Sequence, residues 1–290
     1  MPITPKQRER RKNHLGASDM AAVLGLDRYR TAWDVWADKT GKLDEGDQPS
    51  DAMALGTALE DGILDFAAGA VGPIRRNQYR SHPSLPIGAN LDAIVVAKPE
   101  IVEAKTAGLL GPTPDLWGEA GSDHIPERVI VQVHTQVLAM VPVVVDVAHV
   151  AVLIGGRGLL LFHLQPNRSI LDAIAEAAER FWTKNVQGDV PPVGGPSLAV
   201  AKLLKRTPGK VTEVDPLVVA DWLTACEAYQ TARELRDEKA AEVLAAMGDA
   251  EAAVCGDQGA VTNYEQTRRE YTVKASTFRV LRHKPKGLPT

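Results

Sequence analysis

Leu55, Leu59, Ile63 and Phe66 recur at helical spacing through DAMALGTALEDGILDFAAGA, which predicts a long helix over 51–70. Before it, 17–40 reads as two short helices. Ser18 is the expected N-cap of DMAAVLG, while Thr31 caps AWDVWADKTG and Gly41 ends it. The pattern then shifts to alternation, with strands predicted at 74–81, 87–97 and 101–105. Gly and Pro crowd 106–125, which reads as a loop, and Pro126 starts the helix PERVIVQVHTQVLAM. VVVDVAHVAVLI, the turn GGRG and LLLFHLQ predict a hairpin, and SILDAIAEAAERFWTKNVQG a further amphipathic helix. The Pro/Gly-rich GDVPPVGGPS marks a linker over 188–213. A long helix over 215–247 follows and ends at Gly248. The last forty residues alternate around GDQG and finish basic. No internal repeat is present. The pattern predicts a mixed α/β core over 1–187, the linker, and a helix plus basic β-hairpin appendage over 214–290.

Composition narrows this picture. The 290 residues suit one large domain or a core with an appendage, and 44% hydrophobic with 24% charged residues is globular. No apolar run reaches the ~18 residues of a membrane span. The opening MPITPKQRERRKNHLG is charged and lacks the apolar core of a secretory signal. Two cysteines, Cys226 and Cys255, fit a reducing cytosol and exclude a four-cysteine zinc or iron–sulfur site within one chain. With a net charge of −4, any nucleic-acid site must be a local basic patch in an acidic frame.

The chemistry concentrates in DAIVVAKPEIVEAKT, two apolar strands around a tight turn. Side chains alternate along a strand, so Glu103 and Lys105 point one way, and Asp92 on the paired strand can join them. Any one of these residues alone is more commonly a salt-bridged residue on a solvated face. The combination of an Asp, a turn, and Glu-x-Lys between apolar residues is the signature of PD-(D/E)xK nucleases, although NLD here replaces the proline–aspartate of the motif's name. The residue types suit that chemistry. Magnesium is a hard cation that takes oxygen ligands, which the two carboxylates and the Ala104 carbonyl between Glu103 and Lys105 would supply. A lysine beside the attacking water lowers the cost of hydroxide and of charge building on phosphate. Carboxylates packed together are costly without a cation.

Three further stretches carry a resemblance. GASDMAAVLGLDRYRTAWDVWADKTGK, GTALEDGILDFAA and VIVQVHTQVLAM occur in that order around GANLDAIV and IVEAKTA. Together they resemble the YqaJ viral recombinase, lambda-exonuclease-like family, over about residues 11–165. The resemblance implies a restriction-endonuclease-like core, a mixed central sheet flanked by helices. It implies that Glu60 helps bind a second metal, Asp92 shares the metals, Glu103 and the Ala104 carbonyl complete the first site, and Lys105 activates the water. Gly56, one turn before Glu60, would let the helix approach the sheet. Gln132 would touch the nucleophile or metal shell, and Gln136, one turn on along the same face, is a candidate contact to the DNA backbone. His134 points elsewhere and reads as a satisfied polar residue. Arg11 and Ser18 match an arginine–serine pair that grips the 5′-phosphate of the degraded strand, and free N–H groups at a helix start also favour an anion. Arg75, Arg76, Arg80, Arg268, Arg269, Lys274, Arg279, Arg282 and Lys284 are candidates for tracking the DNA backbone. Trp33 and Trp36, at i and i+3, read as core.

The activity so implied is a Mg²⁺-dependent 5′-to-3′ exonuclease on linear double-stranded DNA. It would hydrolyse phosphodiesters with two metal ions, Mn²⁺ being a substitute, and leave 3′ overhangs for phage-type recombination. A single-strand annealing protein is the implied partner, a ring-shaped homo-oligomer an assembly open to the family, and the bacterial cytoplasm the implied setting, with no membrane. Two alternatives stay open. One is an endonuclease or an iron–sulfur relative on the same fold; the cysteine count argues against the cluster, and the Arg11/Ser18 pair argues for an end-recognising enzyme. The other is a non-catalytic DNA-binding module, which the intact Glu60, Asp92, Glu103 and Lys105 argue against.

Overall fold

A computed structural model describes residues 10, 12–43, 51–110, 117–205, 207, 209–265 and 267. The chain divides into two compact units, 1–205 and 206–290. The first contains α1 (Ala17–Val23), α2 (Ala32–Lys39), α3 (Asp51–Val71), β1 (Ile74–Ser81), β2 (Gly88–Val95), β3 (Glu100–Ala107), α4 (Glu127–Ala139), β4 (Val147–Ile154), β5 (Gly158–Leu164), α5 (Arg168–Phe181) and the short α6 (Leu198–Ala201). The strands form one sheet in the order β1-β2-β3-β4-β5. All neighbours are antiparallel except β3 and β4, which run parallel and pair Glu103 with Val150 and Lys105 with Val152. This is the mixed, helix-flanked sheet that the resemblance implies.

Period-two alternation sorts the side chains into two layers. Ile101, Ala148, Val150, Val152 and Phe162 face a core shared with α1, α4 and α5. Val102 and Ala151 face α3, where Ile63, Leu64, Ala67 and Val71 cover them. Each fully buried Leu or Ile stabilises by roughly 1.5–3 kcal/mol, so both layers hold the sheet strongly. Glu103 and Lys105 share parity with Ile101 and so belong to the α4 layer.

Capping departs from expectation at one helix. Thr31 caps α2 by accepting from Asp34 N at 3.2 Å. The N-cap of α1, however, is Gly16 rather than Ser18. Leu15 is pinned to the 86–88 segment by Leu15 N to Pro86 O (2.7 Å) and Gly88 N to Leu15 O (3.0 Å), so the helix starts directly after it. The Asp19 carboxylate reaches back to Gly16 N at 2.9 Å, and Ser18 lies exposed in the first turn.

The boundary between the units falls inside the stretch read as the linker. Its first part docks on the first unit: Ser197 N donates to Asp34 Oδ1 (2.9 Å) and Thr31 Oγ1 to Gly195 O (3.0 Å). The second unit contains α7 (Pro216–Met247) and a small hairpin of β6 (Ala252–Val254) and β7 (Ala260–Thr262). Asp215 caps α7, Gly248 ends it with φ of 59°, and of the α7 residues only Met247 is buried. Among the described residues no helix is long and apolar enough to cross a membrane.

One buried charge cluster ties α1 to α2. Asp19 is 4% exposed, and Lys39 Nζ and Arg30 Nη1 each lie 2.7 Å from its oxygens. Burial alone would raise the Asp19 pKa, but the charges of Lys39 and Arg30 outweigh it and hold the carboxyl well below the ordinary range. A depressed folded-state pKa means that this stabilisation is complete above the unfolded value near 4 and is lost as pH falls towards the folded one. Asp19→Ala removes the carboxylate that compensates the buried Lys39 ammonium, and we expect urea denaturation at pH 7 to show a loss of about 3–5 kcal/mol.

Candidate active site

The β2–β3 ladder pairs Ala93 with Val102 and Ile94 with Ile101, and extends no further towards Asp92. There the Asp92 carboxylate takes over, Oδ2 accepting from Ala104 N at 2.8 Å. A backbone N–H left without a partner as the strands part is thus satisfied by a side chain. The carboxylate is held beside the second residue of the Glu-Ala-Lys run.

Glu103 is the hub. It is 3% exposed, and among the described residues three side chains named above donate to it. Lys105 Nζ and Gln132 Nε2 both lie 2.5 Å from Oε1, and Gln136 Nε2 lies 2.5 Å from Oε2. Gln132 and Gln136 are one helical turn apart, so α4 presents both amides to the same strand. Gln136, read from sequence as a DNA-backbone candidate, is therefore corrected. It is 1% exposed and lies inside the carboxylate's shell, because the face that carries Gln132 turns fully onto the sheet. Among the described residues its Oε1 has no hydrogen-bond partner, although it is buried.

Glu60 approaches from α3, in the opposite layer. Burial and the charges of Glu103 and Asp61 raise its pKa. Burial raises the Asp92 pKa well above the ordinary range, as does Glu103, against the opposing hydrogen bond from Ala104. Glu60 also acts on Asp92, and Lys105 on both, so the four groups lie within electrostatic reach of one another. Gly56 brings no extreme approach: a Cβ there would sit 3.4 Å from Thr106 Oγ1, an ordinary contact.

A cleft of about 200 Å³ adjoins this cluster, lined by Arg10, His14, Ser18, Tyr79, Asn90 and Gln132 among others. Gln132 links it to Glu103. Arg10 stacks over the Tyr79 ring at 4.2 Å, and Tyr79 Oη lies 3.3 Å from His14 Nδ1. Gly88 makes room for this group, since a Cβ would come within 2.6 Å of Tyr79 Oη. Of these cleft residues, sequence reasoning identified Ser18 and Gln132. Arg10 sits in a basic run without a distinguishing pattern, while Tyr79 and Asn90 meet only through the β1–β2 register that pairs them.

Other candidates stand elsewhere. Arg11, Arg268, Arg269, Arg279 and Arg282, with Lys274 and Lys284, lie outside the described residues. Arg76 is engaged by two carboxylates. It forms ion pairs with Asp61 (2.7 Å) and Asp65 (2.5 Å) that brace β1 against α3, because the α3 turn after Glu60 places two carboxylates over the strand. Arg75 is exposed on the edge strand β1, and Arg80 donates to Tyr79 O at 2.9 Å. His134 is structural: its Nδ1 lies 2.8 Å from Ile130 O and its Nε2 accepts from Asn167 N at 3.1 Å.

Residues 7–139 match the family model of the YqaJ-like viral recombinase domain. Over these residues the chain carries a YqaJ-like viral recombinase domain. It is 33% identical over 202 residues to an uncharacterised protein, YqaJ, of Bacillus subtilis (strain 168), a match covering 68% of this chain and 61% of that protein. The chain thus spans about 61% of the length of this curated relative. Among solved structures, an alkaline exonuclease (LHK-Exo) from Laribacter hongkongensis has 15% identity and a TM-score of 0.48, covering 64% of this chain and 94% of its own. The same exonuclease in complex with dAMP gives 16% identity and 0.49, with equal coverage. A phage-related exonuclease from Haemophilus somnus 129PT gives 11% identity and 0.39, covering 61% and 96%.

The donor set of the YqaJ-like domain fits a hard divalent cation in its chemistry. Three mutually repelling carboxylates and the Ala104 carbonyl are oxygen donors, and the orphaned Gln136 oxygen adds a polar atom that the described residues leave unsatisfied. Glu103 is turned to Lys105 and the two glutamines. Among the described residues no three His, Cys, Asp or Glu side chains are arranged to share one ion. The raised Asp92 pKa has a direct consequence. Below the unfolded-state value near 4 Asp92 is protonated in both states, and as pH rises through the folded value its ionisation costs stability. We expect Asp92→Asn to melt higher than the native protein at pH 8 in chelator, with the difference vanishing near pH 4, as thermal denaturation at the two pH values will show.

Proposed function

We propose that the chain is a metal-dependent deoxyribonuclease that degrades one strand of linear double-stranded DNA from its 5′ end. The product is a 3′ single-stranded overhang suited to phage-type recombination. What supports this reading is the pair of contacts, Asp92–Ala104 and Glu103–Lys105, where β2 and β3 part, with Glu60 in electrostatic reach, beside a cleft containing Ser18 and Arg10. The YqaJ-like domain points the same way.

Glu60, Asp92, Glu103 and the Ala104 carbonyl would hold Mg²⁺, two ions in this reading, with Mn²⁺ as a substitute. Bound there, the ions would polarise the scissile phosphate and stabilise the attacking and leaving oxygens. The chain's own groups do the rest. Lys105 places an ammonium beside Glu103, where it orients the attacking water and offsets charge developing on the phosphate. Gln132 and Gln136 fix the Glu103 carboxylate, so its geometry is set before substrate arrives. The Ser18 hydroxyl, with the Arg10 guanidinium steadied on Tyr79, gives the cleft donors for a terminal phosphate, and Arg11 is a further candidate from sequence. A single-strand annealing partner and a ring-shaped oligomer in a bacterial cytoplasm are the setting this reading implies.

Digestion of a linear duplex labelled at either strand terminus, with Mg²⁺ or chelator, tests the assignment. We expect metal-dependent loss from the 5′ end, faster with a 5′-phosphate than a 5′-hydroxyl, and Lys105→Ala slower by about 10²- to 10³-fold. Cutting of a closed circle would instead identify an endonuclease, and binding without cutting a non-catalytic module.

A further inference from the structure

A second cluster of ligating side chains lies on the other face of the sheet. His149 on β4 and His163 on β5 are directly paired across the strands, and their Nδ1 atoms stand 2.7 Å apart. Their rings meet edge-on at 4.9 Å between centroids. His149 Nε2 lies 3.1 Å from Glu100 Oε2 on β3. His149 shares parity with Ala151, so the pair belongs to the α3 layer, whereas Glu103 and Lys105 face α4.

We propose that His149 and His163 form a binding site for a borderline divalent transition-metal ion, the class of Zn²⁺, Ni²⁺ and Cu²⁺, distinct from the carboxylate cluster. The tautomers follow from the partners. A carboxylate only accepts, so the His149 Nε2–H donates to Glu100 and the His149 Nδ1 lone pair is presented outward. A carboxylate behind a histidine is the arrangement that orients an imidazole for metal and raises its basicity. In the metal-free protein His163 Nδ1–H fills that lone pair. A bound ion takes the place of this proton, which moves to His163 Nε2 through water, so both rings remain neutral ligands. Two nitrogens each 2.0–2.1 Å from a tetrahedral ion stand roughly 3.3 Å apart, so the pair opens by about 0.6 Å. His149 is buried and fixed, whereas His163 is exposed on the edge strand and free to make that adjustment. Two imidazoles with water completing the shell suit zinc, copper and nickel and do not suit magnesium, whose ligands are oxygens.

Equilibrium dialysis of the tag-free full chain against Ni²⁺, in saturating Mg²⁺, provides the test. The native protein should retain one more Ni²⁺ than His163→Ala, an exposed position that leaves the core intact. Ni²⁺ at a hundredfold excess over Kd should raise the native Tm by roughly 5 °C more than that of the variant. Glu100→Gln should retain the site with about 10- to 100-fold weaker affinity. Equal Ni²⁺ uptake by the native chain and His163→Ala would overturn the site. Equal affinity of the native chain and Glu100→Gln would overturn the orienting role of the carboxylate.

Discussion

The hydrogen bond from Ala104 N to the Asp92 carboxylate is the interaction on which the arrangement of the site depends. A continuous ladder would occupy that N–H with a carbonyl of β2 and leave the aspartate to point away. Parting the two strands creates an unsatisfied donor, and one carboxylate oxygen removes the penalty while the other remains available. The same parting makes space between two paired strands for groups that ordinary sheet spacing would exclude. Asp92, Glu103 and Lys105 are therefore neighbours because of a defect in the sheet, and the parallel β3–β4 pairing supports β3 along its whole length on the other side.

The remaining support comes from α4. A buried carboxylate normally needs full compensation, and Glu103 obtains it from an ammonium and two amides. The two glutamines are spaced one turn apart, so a single rigid helix fixes both oxygens. An amide satisfies an anion without neutralising it, which leaves the local field negative, as the raised pKa values of Asp92 and Glu60 register. The cluster is under electrostatic tension, which is the condition in which a cation adds the most.

Much of this was legible in the sequence, for identifiable reasons. Strand parity placed Glu103 and Lys105 together, helical spacing placed Gln132 and Gln136 on one face, and Gly248 and Thr31 marked helix ends by local chemistry. What was not legible depended on contacts distant in the chain. The start of α1 was misread because Leu15 is held by residues 86–88, and the ion pairs of Arg76 were hidden because its partners Asp61 and Asp65 come from a helix whose position only the fold reveals. Cross-strand register brings Tyr79 to Asn90 and His149 to His163, while Arg10 and His14 reach Tyr79 from the distant segment before α1. The Asp19–Lys39 pair was equally silent, since the sequence shows only two charged residues twenty positions apart.

The division of labour between the helical layers has a further consequence. Glu60 arrives from α3 on one side of the sheet, and the glutamines that hold Glu103 arrive from α4 on the other. A chain in which only one layer has docked contains either the extra acid or the clamped one, never both. Assembly of the full acidic centre thus reports completion of the core, so that a half-built chain, during synthesis or after damage, is chemically incomplete by construction.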